Sequence, residues 1–420
     1  MNEKKTNTKG IILCENINPE WASLPYFSYN LVKELSYLMD ITLVTQIRNK
    51  KTLDKYKDQI SCEIIYIDTE VVASKFYKIS EKLKKIKIGG WMTNMAMKFI
   101  PNIIFEKKAY EVLKQRISTG EFSFAARIAP VSPTIPSVFH RKIEIPFFIG
   151  PLNGSLPWPK QFHTEIKKEG ELILKLRNLY KILPYSSQSL SKSKKILYAF
   201  DHVLKDINQP KEKLIKYDEL GVTSDFILNT ENRKYKTDKL NYIFVGRLVP
   251  YKNADVAIKA FSQSKAIENG STLEIIGDGP ERKYLEDLVG KLKISDSVVF
   301  TGWLNQESIK EKLVSSDVFL FPTIREVGGN VILEAMGCGL VCIVPNYGGP
   351  SELVNESNGI KITLTNKENL INDYTYEINK LEEHKELIEK IGTTAYLFVK
   401  KNYTWKAKAE HLYTIYTENL

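Results

Sequence analysis

Short apolar runs alternate with longer stretches of helical periodicity along most of the chain, and this alternation restricts the fold more than any other feature. The runs lie at residues 11–14, 41–44, 63–67, 147–149, 242–245, 273–276, 298–300, 318–321, 341–344 and 360–363. Several are apolar throughout, as suits strands covered on both faces. Between them the spacing predicts helices over 27–39, 253–264, 282–292 and 306–315. Strand–helix alternation implies parallel α/β sheets, because parallel neighbours need a crossover long enough to hold a helix. The pattern stalls in the polar stretch 229–240 and restarts at Tyr242, so the 420 residues divide into two α/β domains there.

Hydrophobic residues at 43% and charged residues at 26% exclude a disordered, collagen-like or coiled-coil chain. Four scattered cysteines cannot frame a disulfide scaffold, and Cys338 and Cys342 have no partners for a zinc site. No apolar run reaches the length of a secretory core or a spanning helix, which predicts a soluble or peripheral cytoplasmic protein. The net charge of +10 is divided unevenly, +14 over residues 1–240 and −4 over 241–420. A basic first half suits an anionic partner: a membrane surface, a phosphorylated substrate or nucleic acid. Within it, Phe76, Ile79, Leu83 and Ile86 recur at helical spacing among Lys75, Lys78, Lys82, Lys84, Lys85 and Lys87, and an apolar stretch runs from Trp91 to Phe105. A basic amphipathic helix with an apolar neighbour can lie on an anionic bilayer. An ordinary half-buried helix with a solvated lysine face has the same pattern.

Three segments carry chemistry. Gly246-Arg247-Leu248 follows a predicted strand and Lys252 lies just beyond, placing two cations where open α/β sheets bind ligands. Gly277-Asp278-Gly279-Pro280 follows the next strand, with glycines suited to tight backbone geometry but no third glycine of a dinucleotide fingerprint. After the strand ending at Phe321, a loop carries Glu326 and Gly328-Gly329, and a helix begins near Asn330 and stops at Gly337 or Gly339. Glu334 lies one turn into that helix, on the face of Asn330. A helix start offers free N–H groups to a phosphate, and glycines allow close approach. Two carboxylates, Glu326 and Glu334, around one anion site make sense if the phosphate is flanked by hydroxyl-rich groups, as in a nucleotide sugar.

In this order the segments resemble the donor-binding domain of retaining family-4 glycosyltransferases of the GT-B fold, over residues 241–359. Phe300-Thr301-Gly302, Ser316-Asp317-Val318 and Gly348-Gly349-Pro350-Ser351-Glu352 extend the match. The resemblance implies two Rossmann-like, doubly wound domains facing a cleft: an acceptor domain at 1–232, a linker at 233–240 and a donor domain at 241–402. The segment 403–420, with Tyr403-Thr404-Trp405, resembles the family's last helix, which crosses back onto the first domain. In the first half the match is looser, resting on Pro130-Val131-Ser132-Pro133-Thr134, Gly150-Pro151-Leu152-Asn153-Gly154 and Pro157-Trp158-Pro159. The Gly-rich loop usual after the first strand is absent, and so is the histidine usual after the fifth. Asn153 occupies that region, and His163 is a candidate substitute. Asn229-Thr230-Glu231-Asn232 resembles the family hinge without its Pro or Gly.

The resemblance implies catalytic roles for Glu326, Arg247 and Lys252, the two cations neutralising a departing diphosphate. It implies donor contacts at Gly246, Gly277, Asp278, Gly302, Gly328, Gly329, Asn330, Val331 and Glu334, and acceptor-side contacts at Asn153, Ser132 and Arg127. It implies a UDP- or GDP-sugar donor, a glycan or lipid-linked sugar acceptor, and neither metal nor other cofactor, since no Asp-x-Asp stands in the matched motifs. The alternatives are a nucleotide-sugar epimerase on the same fold and a nucleic-acid binder. No RNA-binding signature accompanies the charge, so no nucleic acid is expected as a partner.

Overall fold

The computed structural model describes residues 8–85, 91–154, 156–163, 185–228, 233 and 238–420; the side chains of 83–85 and 91–96 are not described. Residues 229–232, the expected hinge, lie outside this set.

The chain forms two compact units. The first contains a seven-stranded sheet of β1 (Lys9–Cys14), β2 (Asp40–Gln46), β3 (Glu63–Ile67), β4 (Phe124–Ala129), β5 (Phe147–Leu152), β6 (Lys195–Tyr198) and β7 (Leu214–Lys216). Its order is β3-β2-β1-β4-β5-β6-β7, with every pairing parallel. The second contains β8 (Asn241–Val245), β9 (Thr272–Ile276), β10 (Val298–Gly302), β11 (Val318–Leu320), β12 (Val341–Pro345) and β13 (Ile360–Ile362). These run β10-β9-β8-β11-β12-β13, again all parallel. Each is a doubly wound sheet of the kind the alternation predicted. Three strands went unread in the sequence: β4, β6 and β7. β4 reads Phe-Ala-Ala-Arg-Ile-Ala, a run interrupted by a charge, yet all six residues are buried.

Side-chain alternation explains the two-sided cover of the first sheet. Ile12 and Cys14 of β1 join one core with Trp405, Leu412 and Tyr416. Ile11 and Leu13 join another with Phe105, Ala109 and Leu113 of the helix Trp91–Ser118. Phe105, expected in an exposed apolar patch, is therefore core. On the helix Glu70–Lys85 the buried residues are Ala73 and Ser80, whereas Ile79 is 46% exposed and faces outward with Lys75, Lys78 and Lys82.

The expected division was 1–232, a linker at 233–240, 241–402, and a last helix at 403–420 returning to the first domain. The first unit comprises Met1–Ser155, Glu171–Glu219 and Trp405–Leu420; the second, Leu156–Gly170 and Leu220–Thr404. Trp158 and Phe162 pack in the core of the second unit although they follow β5 of the first. The last helix, Trp405–Glu418, joins the first unit, where the Lys408 ammonium meets Asp218 at 3.1 Å and the Tyr217 hydroxyl donates to the Lys408 carbonyl at 2.9 Å.

Tyr416 packs its ring 4.9 Å from Phe124 and 5.0 Å from Phe148, and its buried hydroxyl has no partner. Tyr416→Ala should cost about 3–5 kcal/mol through the lost aromatic volume. Tyr416→Phe should be neutral or stabilising, because it removes an unsatisfied buried group. Urea-unfolding midpoints test the pair; equal losses in both variants would contradict this packing.

Candidate functional site

All six strands of the second sheet are parallel, so their C-terminal ends share one edge. Strand order reverses between β8 and β11, the crevice where open α/β sheets hold ligands. The loops after β8, β9 and β10 are joined there through main-chain atoms. The Gly246 N–H donates to the Ile276 carbonyl at 2.9 Å, that of Gly277 to Gly302 at 2.9 Å, and that of Leu248 to Asp278 at 2.9 Å. Gly277 is required by this arrangement: its φ is +131°, and an added Cβ would lie 1.9 Å from the Gly246 oxygen. Asp278 accepts from the Gly279 N–H at 2.6 Å and lies 3.4 Å from Arg282, a cation that the motif reading left unassigned.

Arg247 is exposed on this edge and donates to the Tyr251 hydroxyl at 2.9 Å. Lys252 is largely buried, 4.7 Å over the Phe321 ring, and its ammonium forms an ion pair with Glu326. The structure thus brings together two residues 74 positions apart, one from each side of the strand-order reversal. The Glu326 carbonyl accepts from the Gly349 N–H at 3.0 Å, which ties its loop to the loop after β12.

Gly329 precedes the helix Asn330–Gly337, with Gly328 buried beside it and Val331 in the first turn. Asn330 donates to Glu334 at 2.9 Å and accepts from the Gly221 N–H at 3.2 Å. Burial pushes the Glu334 carboxyl up to about 7, against hydrogen bonds from Asn330 and Gln306 that pull it down. Gln306 carried no motif; it heads a helix whose face became visible only in the fold.

Of the residues expected on the acceptor side, Asn153 donates its N–H to the Val131 carbonyl at 2.7 Å, next to Ser132. Asn153 hydrogen-bonds Glu219, whose carboxyl burial pushes up to about 7 and whose other oxygen has no partner. Glu219 had no sequence signal beyond being a carboxylate beside Leu220. Ser132 is buried and hydrogen-bonded to Thr134 at 2.8 Å. Arg127, the third residue expected on the acceptor side, is 1% exposed, donates to the Ile135 carbonyl at 2.7 Å and stands 3.9 Å from buried Glu106. A guanidinium so enclosed braces a loop from beneath. His163 is exposed, on the segment that joins the second unit.

A cavity of about 220 Å³ lies beside Glu106, Tyr110 and Arg141 in the first unit, and one of about 450 Å³ beside Trp158, Tyr347 and Leu364 in the second. Among the described residues, no group of three or more His, Cys, Asp or Glu side chains could hold a metal ion.

Residues 227–398 match the model of the family described as glycosyl transferases group 1, so the second unit is related to that family. An uncharacterized glycosyltransferase of Methanocaldococcus jannaschii is 31% identical over 43% of this chain and 45% of its own length. The chain spans less than half the length of the curated relatives it matches. Among solved structures, HepE of Anabaena in complex with UDP superposes with a TM-score of 0.63 at 15% identity, covering 98% of this chain and 100% of that one. The lipopolysaccharide outer core galactosyltransferase WaaB gives 0.62 at 13% identity, covering 98% and 100%. These likenesses establish the fold as GT-B.

The raised Glu334 carboxyl has a consequence for stability. A folded-state value of about 7, above the ordinary 4.5, means that the folded chain retains a proton the unfolded chain has lost. This favours folding below about 4.5 and is lost as the pH rises through 7. Glu334→Gln should therefore raise the thermal midpoint more at pH 8 than at pH 5. An equal shift at both would contradict a raised carboxyl.

Proposed function

We propose that this protein transfers a sugar from a nucleoside-diphosphate sugar to a hydroxyl acceptor with retention of configuration, as a family-4 glycosyltransferase. The observation that carries the reading is the Lys252–Glu326 pair at the strand-order reversal, with Arg247 beside it and the helix start at Asn330 behind. Arg247, Lys252 and the amides at Gly329–Val331 would hold the diphosphate; Glu334 would accept from the ribose hydroxyls. The match of the second unit to the glycosyltransferase family supports this assignment.

In the reaction the anomeric C–O bond breaks with its electron pair leaving on the diphosphate, whose developing charge the two cations offset. The acceptor oxygen bonds to the same face of the anomeric carbon, and its proton passes to the departing phosphate oxygen. Glu326 holds a hydroxyl of the transferred sugar rather than attacking the anomeric carbon. The donor anion takes over Lys252, releasing Glu326 to do so. With both charges of the leaving group met by cations, no metal is needed, so EDTA should leave activity intact.

Cell-envelope or exopolysaccharide glycan assembly is the setting proposed, with a UDP- or GDP-sugar donor and a glycan or lipid-linked acceptor. The likeness to a lipopolysaccharide galactosyltransferase supports that setting. Among the described residues, no helix is long and apolar enough to cross a membrane. Peripheral attachment to an anionic inner membrane face is proposed from the helix Glu70–Lys85. Val71 is 73% exposed and Ile79 46%, and they share a face with Lys75, Lys78 and Lys82. Apolar and cationic groups on one outward face suit a lipid interface.

Glu326→Gln should lower transfer about 100-fold or more while keeping or tightening nucleoside diphosphate binding, because Lys252 is released. Arg247→Ala and Lys252→Ala should each weaken that binding by about 1.5–3 kcal/mol. Calorimetry with UDP and GDP and product analysis over a donor panel check this. Wild-type turnover in Glu326→Gln would remove it from the site, and isomerised donor without acceptor would favour an epimerase.

Replacing Lys75, Lys78 and Lys82 together by Gln should release the protein from anionic vesicles at low salt, each lysine contributing about 1 kcal/mol. Equal sedimentation with neutral and anionic vesicles would contradict attachment by charge.

A further inference from the structure

The segment from Leu156 to Phe162 follows β5 of the first unit in sequence but packs in the second, where it meets the loops that carry the candidate donor residues. Its first anchor is Arg325, the residue before Glu326. The Arg325 Nε donates to the Leu156 carbonyl at 3.3 Å, and its guanidinium lies 4.7 Å from the centre of the Trp158 ring. On another side the same indole meets Tyr251 edge to face, 6.0 Å between centres. Tyr251 is the partner of Arg247 and the neighbour of Lys252. Its carbonyl also accepts from the Ile324 N–H at 3.0 Å. The third anchor is Tyr347, whose hydroxyl donates to the Pro157 carbonyl at 2.8 Å, in the loop whose Gly349 N–H binds the Glu326 carbonyl.

We infer that Trp158 and Arg325 are positioning residues for the proposed transfer: the 156–162 strap fixes the backbone at Glu326 and the Arg247–Lys252 loop in one arrangement. The inference rests on the donor-site reading above. The physical argument is that Glu326 is set by its loop. That loop is held by Ile324 in the core and by the Thr323 hydroxyl on the Tyr251 carbonyl, and Arg325 adds a stacked, hydrogen-bonded anchor one residue from Glu326. Trp158 is 8% exposed and packs in the core of the second unit, so it braces the loops from within. A guanidinium over an indole is a strong form of cation–π contact, and the planar fork adds a directed hydrogen bond that an ammonium would make less well.

The test uses the full chain with Arg325→Ala, Arg325→Lys, Trp158→Ala and Trp158→Phe. Hydrogen exchange over residues 323–331 reads the positioning without a donor; calorimetry with UDP reads the anion site. Turnover is followed with whichever of UDP-glucose, UDP-N-acetylglucosamine and GDP-mannose the wild type uses. The two alanine variants should speed exchange in that segment at least threefold and lower kcat about tenfold, with UDP affinity within about twofold; Arg325→Ala should largely keep the thermal midpoint, whereas Trp158→Ala, which empties part of the second unit's core, should lower it. Trp158→Phe and Arg325→Lys should recover most of the loss. Unchanged exchange and kcat in Arg325→Ala would overturn the inference. So would a loss of UDP binding and thermal midpoint in proportion to kcat, which marks a merely structural residue. If the wild type neither binds UDP nor turns over any donor, the donor reading fails, and exchange alone decides whether the strap positions these loops.

Discussion

The approach of Gly277 to the Gly246 carbonyl is the constraint on which the second unit's working edge depends. A side chain there would fall 1.9 Å from that oxygen, so the loops after β8 and β9 can close only with hydrogen at this position. Once closed they hold each other through peptide groups, Gly246 to Ile276 and Gly277 to Gly302. Arg247 and Lys252 are thereby set at the reversal of strand order, where Tyr251 holds the first and Glu326 and the Phe321 ring hold the second. A site ordered before its ligand arrives loses less entropy on binding.

This edge was the most legible part of the chain because its requirements are local. Glycine in a left-handed turn, a helix start after paired glycines and a carboxylate one turn into that helix each mark a few consecutive residues. The Lys252–Glu326 pair was not legible as a pair, since nothing in the intervening residues states that β8 and β11 lie side by side. The strap was less legible still. Pro157-Trp158-Pro159 was read with the half of the chain that contains it, but its place depends on the apolar surface that receives the indole. That surface is built by residues from Leu240 onward. The same limit applies to β4, whose arginine interrupts the apolar pattern. Its burial is tolerable only because Glu106, on a helix earlier in the chain, lies opposite.

That buried pair gives Arg127 a role different from the one its position suggested. Glu106 accepts from the Ser137 hydroxyl at 2.8 Å and from the Val138 and Phe139 N–H groups at 2.5 and 3.0 Å, while Arg127 donates to the Ile135 carbonyl. Desolvation dominates the arginine and lowers its affinity for the proton to a value of about 10, so it remains charged at neutral pH. Removing either charge from such a pair leaves the other unmet in the interior. Arg127 therefore fixes the 132–139 loop, including Ser132, by its backbone.

The two carboxylates of the donor edge are held in different ways, and the difference fits two different partners. Glu326 is matched by a full cation, so its charge is met within the chain, and an anion of higher charge can compete for the ammonium. A diphosphate carries more charge than one carboxylate and meets this condition; a neutral sugar alone does not. Glu334 is met only by amides, and burial leaves its carboxyl holding a proton well above the ordinary carboxylate range. A group so placed gains from hydroxyl donors that it does not have in the unliganded chain. Under the proposed donor reading, cation-paired and amide-held carboxylates on either side of a helix start would suit a ligand whose anionic centre lies between two polyol ends. Neither a simple phosphate, which lacks the polyols, nor a free sugar, which lacks the charge, would satisfy both.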